Sequence, residues 1–570
     1  MGLMKEFCNH KVVFVGNEQL LDAYESDEFV VLIYGQLKHQ GQPINAQDLA
    51  SVLEHDTTRL ALSYQQFSGK FAVLLHEVKS AQTIIFNDAM GMQPCYFSSQ
   101  NGALYFSASL KALKGLDSMT FSVSEQALFN YMYFHCIPSP STIYKEASKL
   151  EPGKGVIFEG QIQNGTVLLY QPQFASTAAS SQTLQKTCLD EIEKAVHSNV
   201  TENCGAFLSG GLDSSTVAGM LAKKKDPAKT FSIGFEAEGY DETEFAKITA
   251  NHFGTEHSVL YLTPEEAAEA FVDVAQYFDE PFGNSSAMAG YFCARFAKQN
   301  GVDTLLAGDG GDELFAGNER YAKQKKFEVF LRLPSFLQGS LSAIFNNSIT
   351  TKLPGFKKVA SYIRQAQVQL PGRLQSYNFV NIVGLDNMFT PEFLAKVDTN
   401  QPVEQLNQRY AESAGSDPID NMLYLDWKFT LADNDLIKVN RMCEMAGVDV
   451  RYPLLEKSVV DFSCQVPAEL KLPGQKLRDF YKQTCRGFLA DSTLDKEKHG
   501  FGLPFGAWLK ENAKLEKLAL EALEKFKQRG IVSNSLIDQA IEAHKSVHAG
   551  YYGELIWIMV VLELWLQQEA

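Results

Sequence analysis

Short apolar runs separated by turn residues dominate the first 172 residues of the chain. Runs such as VVFVG, FVVLIYG and FAVLLHEV are β-branched or aromatic and are separated by Gly, Asn and Ser, which is the pattern of strands joined by tight connections. A helical stretch, SEQALFNYMYFHC, precedes two more strand-like runs, GVIFEG and TVLLY. The pattern predicts an antiparallel β-rich domain with a few helices over residues 1–172.

The hydrophobic pattern changes after a short linker. Residues 173–182 are mostly small and polar and have no hydrophobic periodicity, which predicts a linker. From residue 183, strand-like runs such as CGAFL and TFSIGF alternate with helical stretches such as DSSTVAGMLAKKK. Such alternation predicts a parallel sheet covered by helices. Helical periodicity dominates from about Gly317, so residues 183–570 are predicted to form an α/β domain with a helical C-terminal part.

The composition narrows the class of protein. The 570 residues are 45% apolar and 21% charged, as in soluble globular proteins. The net charge of −17 is spread along the chain, which argues against a nucleic-acid partner. Nine cysteines without a C-x-x-C pair favour a reducing cytoplasm over a disulfide framework or a zinc ribbon.

No targeting or membrane-spanning segment is predicted. The N-terminus, MGLMKEFCNHK, has no basic segment that leads into an apolar stretch, so we expect no secretory signal. The most apolar stretch, residues 555–566, is interrupted by Glu563 and is shorter than the ~20 residues that a bilayer span needs. We interpret it as a buried terminal helix of a cytoplasmic protein. The oligomeric state stays open, a homodimer included.

A glycine-containing turn between an apolar run and a helix is the sharpest local feature. In FLSGGLDSSTVAGML, Gly210 and Gly211 permit a tight turn, and the helix that follows offers unpaired N–H groups to an anion. The turn lacks the lysine of G-x-x-x-x-G-K-[ST] loops, so kinase-like transfer of a γ-phosphoryl group is not indicated. Its Ser-Gly-Gly-x-Asp-Ser-Ser sequence resembles the PP-loop of ATP pyrophosphatases, which cut between the α and β phosphates.

A second cluster gathers three carboxylates. In LLAGDGGDELF, Asp309, Asp312 and Glu313 follow an apolar run, and a divalent cation is the usual reason to bring such groups together. The motifs SGGLDSS, FSIGF, YDETEFA, DEPFGNSSA and GDGGDELF occur in this order. Together they resemble the synthetase domain of asparagine synthetases. The resemblance covers nearly the whole chain, although residues 318–420 match only loosely.

The resemblance implies a fold, a cofactor set and a site. The second domain would be a PP-loop domain of the adenine nucleotide α-hydrolase-like type that binds ATP and Mg²⁺. The residues implied to cradle the phosphates are Ser209, Gly210, Gly211, Ser214 and Ser215. Those implied to hold Mg²⁺ are Asp213 and Asp312. Those implied to line the nucleotide pocket are Leu208, Ile233, Gly234 and Gly308.

The resemblance also implies catalytic residues. Asp309 stands where the family carries an acidic residue thought to manage the proton of the incoming nitrogen, and Lys498 matches a basic residue near the phosphates. The family's lysine for the reacting acyl-phosphate falls on Arg478, with Lys476 two residues earlier. Arginine presents its charge as a planar fork and is not equivalent to lysine at a reacting centre. Either Lys476 has moved in, or the substrate differs from aspartate.

The first domain resembles the family's glutaminase, an Ntn-like antiparallel β-sandwich with helices, but without its chemistry. Active members begin Met-Cys, and the terminal cysteine supplies both nucleophile and amine. This chain begins Met1-Gly2, and the internal Cys8 has no free α-amine beside it. Where active members have Asn-Gly, it reads Tyr34-Gly35. We therefore predict a degenerate glutaminase, with ammonia or an amine as the nitrogen source.

The function predicted is that of an AMP-forming, amide-forming ligase. It would adenylate a carboxylate such as aspartate, a uronic acid on a glycan or a biosynthetic intermediate, with no nucleic acid and no membrane span involved. Two alternatives stay open. The replacement by Arg478 is compatible with a non-catalytic nucleotide-binding paralogue, and the PP-loop also occurs in tRNA-modifying enzymes, which the acidic charge disfavours.

Overall fold

Two stacked β-sheets form the N-terminal part of the protein. The computed structural model describes residues 3–7, 11–53, 60–174, 179–237, 239–345, 356–496 and 502–569. The N-terminal strands are β1 (Leu3–Phe7), β2 (Val12–Gly16), β3 (Leu21–Glu25), β4 (Phe29–Gly35), β5 (Lys38–His39), β6 (Gln42–Pro43), β7 (Phe67–Ser68), β8 (Phe71–Glu77), β9 (Gln82–Asn87), β10 (Tyr96–Gln100), β11 (Ala103–Ser107), β12 (Ser148–Lys149), β13 (Lys154–Glu159) and β14 (Ile162–Leu168). The helices among them are α1 (Ala46–Val52), α2 (Leu60–Tyr64), α3 (Leu110–Lys114) and α4 (Glu125–Phe134).

The two larger sheets pack face to face. Their strand orders are β1-β2-β11-β10-β12 and β14-β13-β9-β8-β4-β3, and the pairing is antiparallel except between β2 and β11. Phe14 and Phe106 of the first sheet share a buried cluster with Leu32 and Ile85 of the second. Side chains of successive strand residues point to opposite faces, so Val13 belongs to a different cluster, which continues into the rest of the protein. The predicted antiparallel sandwich is confirmed.

A parallel sheet follows. Its strands are β15 (Cys204–Phe207), β16 (Lys229–Gly234), β17 (Glu256–Tyr261), β18 (Thr304–Leu306) and β19 (Asp449–Arg451), in the order β17-β16-β15-β18-β19. The associated helices are α5 (Ser181–Asn199), α6 (Leu212–Lys224), α7 (Thr243–Phe253), α8 (Pro264–Tyr277), α9 (Ala287–Gln299) and α10 (Gly311–Phe315). The chain leaves β15 towards β16 on one side and reaches β18 on the other. Such a reversal opens a crevice at the carboxyl ends of the strands, where ligands bind in α/β sheets.

The C-terminal part is helical, as the periodicity predicted, apart from the edge strand β19. Its helices are α11 (Glu319–Leu331), α12 (Ser335–Phe345), α13 (Phe356–Gln367), α14 (Phe379–Val383), α15 (Leu385–Met388), α16 (Pro391–Leu394), α17 (Gln401–Ala411), α18 (Pro418–Asp426), α19 (Leu436–Met445), α20 (Lys457–Gln465), α21 (Ala468–Lys471), α22 (Asp479–Cys485), α23 (Asp491–Asp495), α24 (Phe505–Glu511), α25 (Ala513–Lys527), α26 (Asn534–Ser546) and α27 (Ala549–Leu566). A π-helical segment, Trp427–Asp435, connects α18 to α19.

The terminal helix is the one described helix long and apolar enough to cross a membrane by length and composition. The helix and the turn that follows it span Ala549–Glu569, and 72% of their most apolar stretch is buried inside the protein. Residues 555–566 are all buried. Burial on all sides is typical of the core helix of a large protein, which agrees with the predicted buried terminal helix.

Buried charges join the sandwich to the second half of the chain. The Lys149 ammonium lies 3.0 Å from the Glu280 carboxylate and 3.8 Å from that of Asp433. Burial alone would lower the pKa of Lys149, but these two carboxylates outweigh it and the pKa is raised. Lys149 belongs to the first half of the chain and both carboxylates belong to the second, so these ion pairs connect the two halves. Removing one partner of such a buried pair is strongly destabilising.

Candidate functional site

A cavity of about 410 Å³ lies at the carboxyl ends of β15, β16 and β18. Because the chain changes direction between these strands, the loops that follow them face each other across the crevice. The structure brings ten of the predicted site residues together in the wall of this cavity. They are Leu208, Ser209, Gly211, Asp213, Ser214, Ile233, Gly308, Asp309, Asp312 and Arg478.

The turn after β15 is closed by its own hydroxyl groups. The hydroxyl oxygens of Ser209 and Ser214 lie 3.0 Å apart, and the Gly211 N–H donates to Ser209 Oγ at 3.3 Å. Gly210 has a φ of +71°, and a Cβ there would lie 2.4 Å from the backbone nitrogen of Ala246. Only glycine fits this position. The turn therefore presents the N-terminus of α6 to the cavity, as an anion site requires.

Three of the predicted residues stand behind the cavity wall. Ser215 is fully buried, and its hydroxyl lies 2.9 Å from that of Thr249 on α7. Gly234 packs beneath the Tyr261 ring, which a Cβ would approach to 2.7 Å. The third is Gly210, described above. All three pack against neighbouring elements and do not line the cavity.

The carboxylates of Asp213 and Asp312 converge on one cation. The Arg478 guanidinium lies 3.2 Å from Asp213 and 3.0 Å from Asp312. Two glycines make room for the carboxylates: a Cβ on Gly311 would lie 2.2 Å from Asp213 Oδ1, and one on Gly317 would lie 1.7 Å from Asp312 Oδ1. The two loops are thus packed around this pair of acids.

Arg478 enters the site from a left-handed turn before α22. Its φ and ψ are 55° and 28°, and its side chain is 9% exposed. Burial would lower the pKa of Arg478, but Asp213 and Asp312 outweigh it and the pKa is raised. Lys476 is exposed and does not line the cavity. Lys498 lies outside the described residues.

The two aspartates suit magnesium better than a metal with an all-protein cage. Among the described residues, no three or more His, Cys, Asp or Glu side chains form a metal-binding group. Mg²⁺ typically takes one or two carboxylates and completes its shell with water and substrate phosphates. Asp213, at the start of α6 directly after the glycine turn, and Asp312, at the start of α10, provide that donor set, so the residues present fit the ion.

A second group of charges lines the same cavity. Burial raises the pKa of Asp309 to about 6, against the opposing effect of the Lys438 ammonium. The Lys438 ammonium lies 2.8 Å from the Asp435 carboxylate. Burial and the nearby Asp312 carboxylate raise the pKa of Glu313 well above its ordinary value. Asp309, with its pKa of about 6, is suited to accept a proton at neutral pH.

Sequence reasoning missed five charged residues of the cavity wall, which are Glu242, Asp435, Lys438, Lys482 and Lys496. The Lys496 ammonium lies 3.0 Å from Glu242 and 3.4 Å from the carbonyl oxygen of Ser209. The motif DKEKHGFG contains two lysines, and the family resemblance points to the later one, Lys498. Asp435 and Lys438 belong to DNDLIK. Charged residues within an otherwise apolar helical stretch indicate a buried polar site, and this pattern could have identified them.

The Asp435 and Lys438 positions depend on the π-helical segment before α19. Its first residue, Trp427, donates its indole N–H to the Glu313 carbonyl oxygen at 3.0 Å. This bond ties the segment to the loop that carries Asp309 and Asp312. π-helical turns are frequent at functional sites.

In the first domain, the residues near Tyr34-Gly35 are committed to structural contacts. Asp88 accepts N–H groups from Met90, Met92 and Gln93 at 2.9–3.1 Å. The backbone oxygen of Lys70 would lie 2.4 Å from a Cβ on Gly35, and the Lys70 ammonium donates to Asn440 Oδ1 at 2.8 Å. The cavity beside Asp88 measures about 20 Å³, which is room for about one water molecule.

The fold and the cavity define a two-part protein, with an α/β half that contains the cavity and an antiparallel sandwich. Comparison with known proteins agrees with both parts. The family model described as asparagine synthase matches residues 187–567, and that described as glutamine amidotransferase domain matches residues 33–167. The chain therefore belongs to the asparagine synthase family.

Relatives of known name match most of the chain at low identity. The glutamine-hydrolyzing asparagine synthetase 1 of Bacillus subtilis is 24% identical, covering 95% of this chain and 86% of that protein. A putative glutamine-hydrolyzing asparagine synthetase of Mycobacterium bovis is 24% identical, covering 88% and 76%. Another, from Methanocaldococcus jannaschii, is 29% identical, covering 66% and 72%.

Proposed function

We propose that the protein is an ATP-dependent ligase that activates a carboxylate as its adenylate and converts it into an amide. One observation carries the proposal. Asp213 and Asp312, from loops after two neighbouring strands, meet at Arg478 in a cavity that also holds the glycine turn at Ser209. Family membership supports the ligase chemistry, and the sequence resemblance supports ATP as the cosubstrate.

The first step forms the acyl-adenylate. A carboxylate oxygen of the acid attacks the α-phosphorus of ATP, and the bond from that phosphorus to the bridging oxygen breaks, releasing pyrophosphate. Ser209, Gly211 and Ser214 bind the phosphates at the start of α6, where N–H groups and the helix dipole favour anions. Asp213 and Asp312 would hold Mg²⁺, which would supply positive charge to stabilise the leaving pyrophosphate. Arg478 and Lys496 supply fixed positive charge beside it.

The second step forms the amide. The nitrogen of ammonia or an amine attacks the acyl carbon, and the carbon–oxygen bond to AMP breaks. Asp309 takes the proton that the nitrogen loses, which requires the ionised carboxylate. Lys438, paired with Asp435 in the same wall, holds positive charge near Asp309 and keeps its pKa from rising further.

The nitrogen comes from ammonia or an amine rather than from glutamine. The chain reads Tyr34-Gly35 where active glutaminases have their oxyanion donor. The contacts of Asp88 and Lys70 support a structural role for this domain, because both side chains are committed to backbone and interdomain hydrogen bonds. The sandwich persists as a packing partner for the second domain.

The test is carboxylate-dependent exchange of labelled pyrophosphate into ATP. The purified protein is assayed with Mg²⁺ against a panel of acids that includes aspartate and uronic acids, with Asp213→Asn as the inactive control. We expect one class of acid to support exchange, with AMP and pyrophosphate as nucleotide products and no glutamate released from glutamine. Formation of ADP would refute the mechanism.

A non-catalytic nucleotide-binding paralogue is the second candidate, favoured only by the arginine at the family's lysine position. It predicts ATP binding in equilibrium dialysis without exchange for any acid. The same assay therefore separates the two. A PP-loop tRNA-modifying enzyme would instead bind tRNA in a salt-dependent way.

A further inference from the structure

An apolar helix without a buried side chain lies in the middle of the C-terminal half. None of the residues of α12, SFLQGSLSAIF, is buried in the described part of the structure. Phe336 is 71% exposed and Leu337 is 39% exposed. Helical periodicity places positions 336, 337, 340, 343 and 344 on one face, and all but Ser340 are apolar. Contiguous exposed apolar surface of this kind marks an interaction site.

The opposite face of α12 is anchored. Helices α11, α12 and α13 share a small apolar cluster built on Phe327, Phe330, Ile363 and Ala366, separate from the main core. Leu341 of α12 is partly buried against this cluster. The exposed face is therefore the outer surface of a packed three-helix unit, which we name the α11–α13 unit (Glu319–Leu331, Ser335–Phe345 and Phe356–Gln367).

The charge of this region is opposite to that of the rest of the protein. Residues 329–385 contain six Lys or Arg and no Asp or Glu, in a chain with 68 acidic residues and a net charge of −17. Lys358 and Arg364 on α13 are exposed, and the side chain of Arg332 is 82% exposed. In a strongly acidic protein, the described helices next to the exposed apolar face thus carry exposed cations at Arg332, Lys358 and Arg364.

We propose that the α11–α13 unit binds the surface of an anionic lipid bilayer. Apolar and basic side chains on adjacent helices are the combination that places a helix at the headgroup boundary. The acidic remainder of the chain is repelled by the same surface, which orients the protein with this unit toward it. A second copy of the chain fits less well, because pairing the apolar faces would bring two cationic regions together.

The position of the unit connects it to the catalytic cavity. Helix α11 begins at Glu319, two residues after Gly317, which packs against the Asp312 carboxylate. Its 13 residues span about 20 Å. Bilayer binding would therefore hold the cavity, and with it the proposed adenylation site, close to the membrane surface.

Vesicle flotation of the full-length protein tests the proposal. The probes are phosphatidylcholine vesicles with and without phosphatidylglycerol, at low and at high salt. We expect the anionic vesicles to bind the protein roughly tenfold more tightly at low salt, and salt to weaken the binding. Phe336→Ser with Leu337→Ser, and separately Lys358→Glu with Arg364→Glu, are each expected to reduce binding at least about tenfold.

Matched surface variants and a catalytic assay serve as controls. Ile162→Ser removes an apolar side chain that is 75% exposed on β14, and Lys517→Glu reverses a charge whose side chain is 76% exposed on α25; both are expected to bind vesicles normally. Exchange of pyrophosphate into ATP with soluble acids is expected to be unchanged in all these variants. Because flotation does not depend on catalysis, it tests bilayer binding even if the protein shows no exchange activity.

Three results would overturn the proposal. The first is no flotation with anionic vesicles at low salt. The second is equal loss of binding in the matched surface variants. The third is concentration-dependent self-association that Phe336→Ser abolishes, which would assign the apolar face to a second copy of the chain.

Discussion

The Arg478 guanidinium lies 3.0 Å from the carboxylate of Asp312, and both side chains are largely withdrawn from solvent. The same guanidinium reaches Asp213, so one cation satisfies two acids contributed by different loops. Both contacts are made by the same guanidinium nitrogen, Nη1. The positive charge of Arg478 is therefore shared between the two aspartates.

Replacing Arg478 tests this relationship. We expect Arg478→Met to reduce pyrophosphate exchange by about 10²–10³, because fixed charge beside the reacting phosphates is lost. Arg478→Lys keeps the positive charge but presents it on a different group, and we expect it to reduce exchange by roughly tenfold. Thermal unfolding of both variants checks that they fold. The neighbouring Lys476→Met, at an exposed position, is the matched control. An equal loss in Lys476→Met would contradict the assignment.

Glycine at position 311 is required by the Asp213 carboxylate. A methyl group there would lie 2.2 Å from Asp213 Oδ1, far inside van der Waals contact, so Gly311→Ala must displace the aspartate. We expect exchange to fall by at least about 100-fold while the protein stays folded, since the group moved is one that contacts the reacting charge. Gly339→Ala on α12, with open space around it, is expected to leave exchange unchanged.

Amide formation should depend on pH through Asp309. Burial raises the pKa of Asp309 to about 6, and the base must be ionised, so the rate is expected to rise as the pH passes upward through about 6. Lys438→Met removes the cation that holds this pKa down, and the acid limb of the profile should move to higher pH. Single-turnover amide formation from the adenylate measures this step.

Asp309→Asn separates the two steps. It should abolish amide formation yet leave pyrophosphate exchange within a few fold, because the carboxylate acts after adenylation. A parallel loss of exchange would show that Asp309 is needed earlier. Lys517→Met, at an exposed position, is expected to leave the pH profile unchanged.

The interface between the sandwich and the π-helical segment should make stability depend on pH. Lys428 is buried, and its ammonium donates to the carbonyl oxygens of Ala89 and Pro152 at 3.1 Å and 2.7 Å. Burial, with a smaller effect of Arg409, lowers the pKa of Lys428 from 10.5 to about 7. Between these values the unfolded chain binds more protons than the folded one, so this residue makes stability rise as the pH increases from about 7 to about 10.

A difference measurement isolates that contribution. The urea midpoint of the wild type minus that of Lys428→Met should increase between pH 7 and pH 9.5, because the variant lacks the titrating group. Lys517→Met should show no such change. A difference that stays constant with pH would mean that Lys428 keeps its proton in the folded protein throughout this range.

Local features were predictable from the sequence because they depend on neighbouring residues. The turn from Ser209 to Asp213 needs glycine where φ is positive and a helix directly after it, and both requirements are visible within a few positions. The alternation of strands and helices likewise predicted the parallel sheet and, with it, the edge where the loops meet. The sandwich followed from short alternating runs in the same way.

The partners of each charge were decided only by the tertiary structure. Arg478 and Asp213 lie 265 residues apart in sequence, and only the left-handed turn before α22 determines that Arg478, rather than Lys476, enters the cavity. Lys496 reaches Ser209 across a separation of 287 residues. The same holds for the exposed α12, whose composition resembles that of a core helix. Hydrophobic pattern specifies which segments form elements, but burial and ion pairing depend on which surfaces meet when the chain packs, and that information is distributed over the whole sequence.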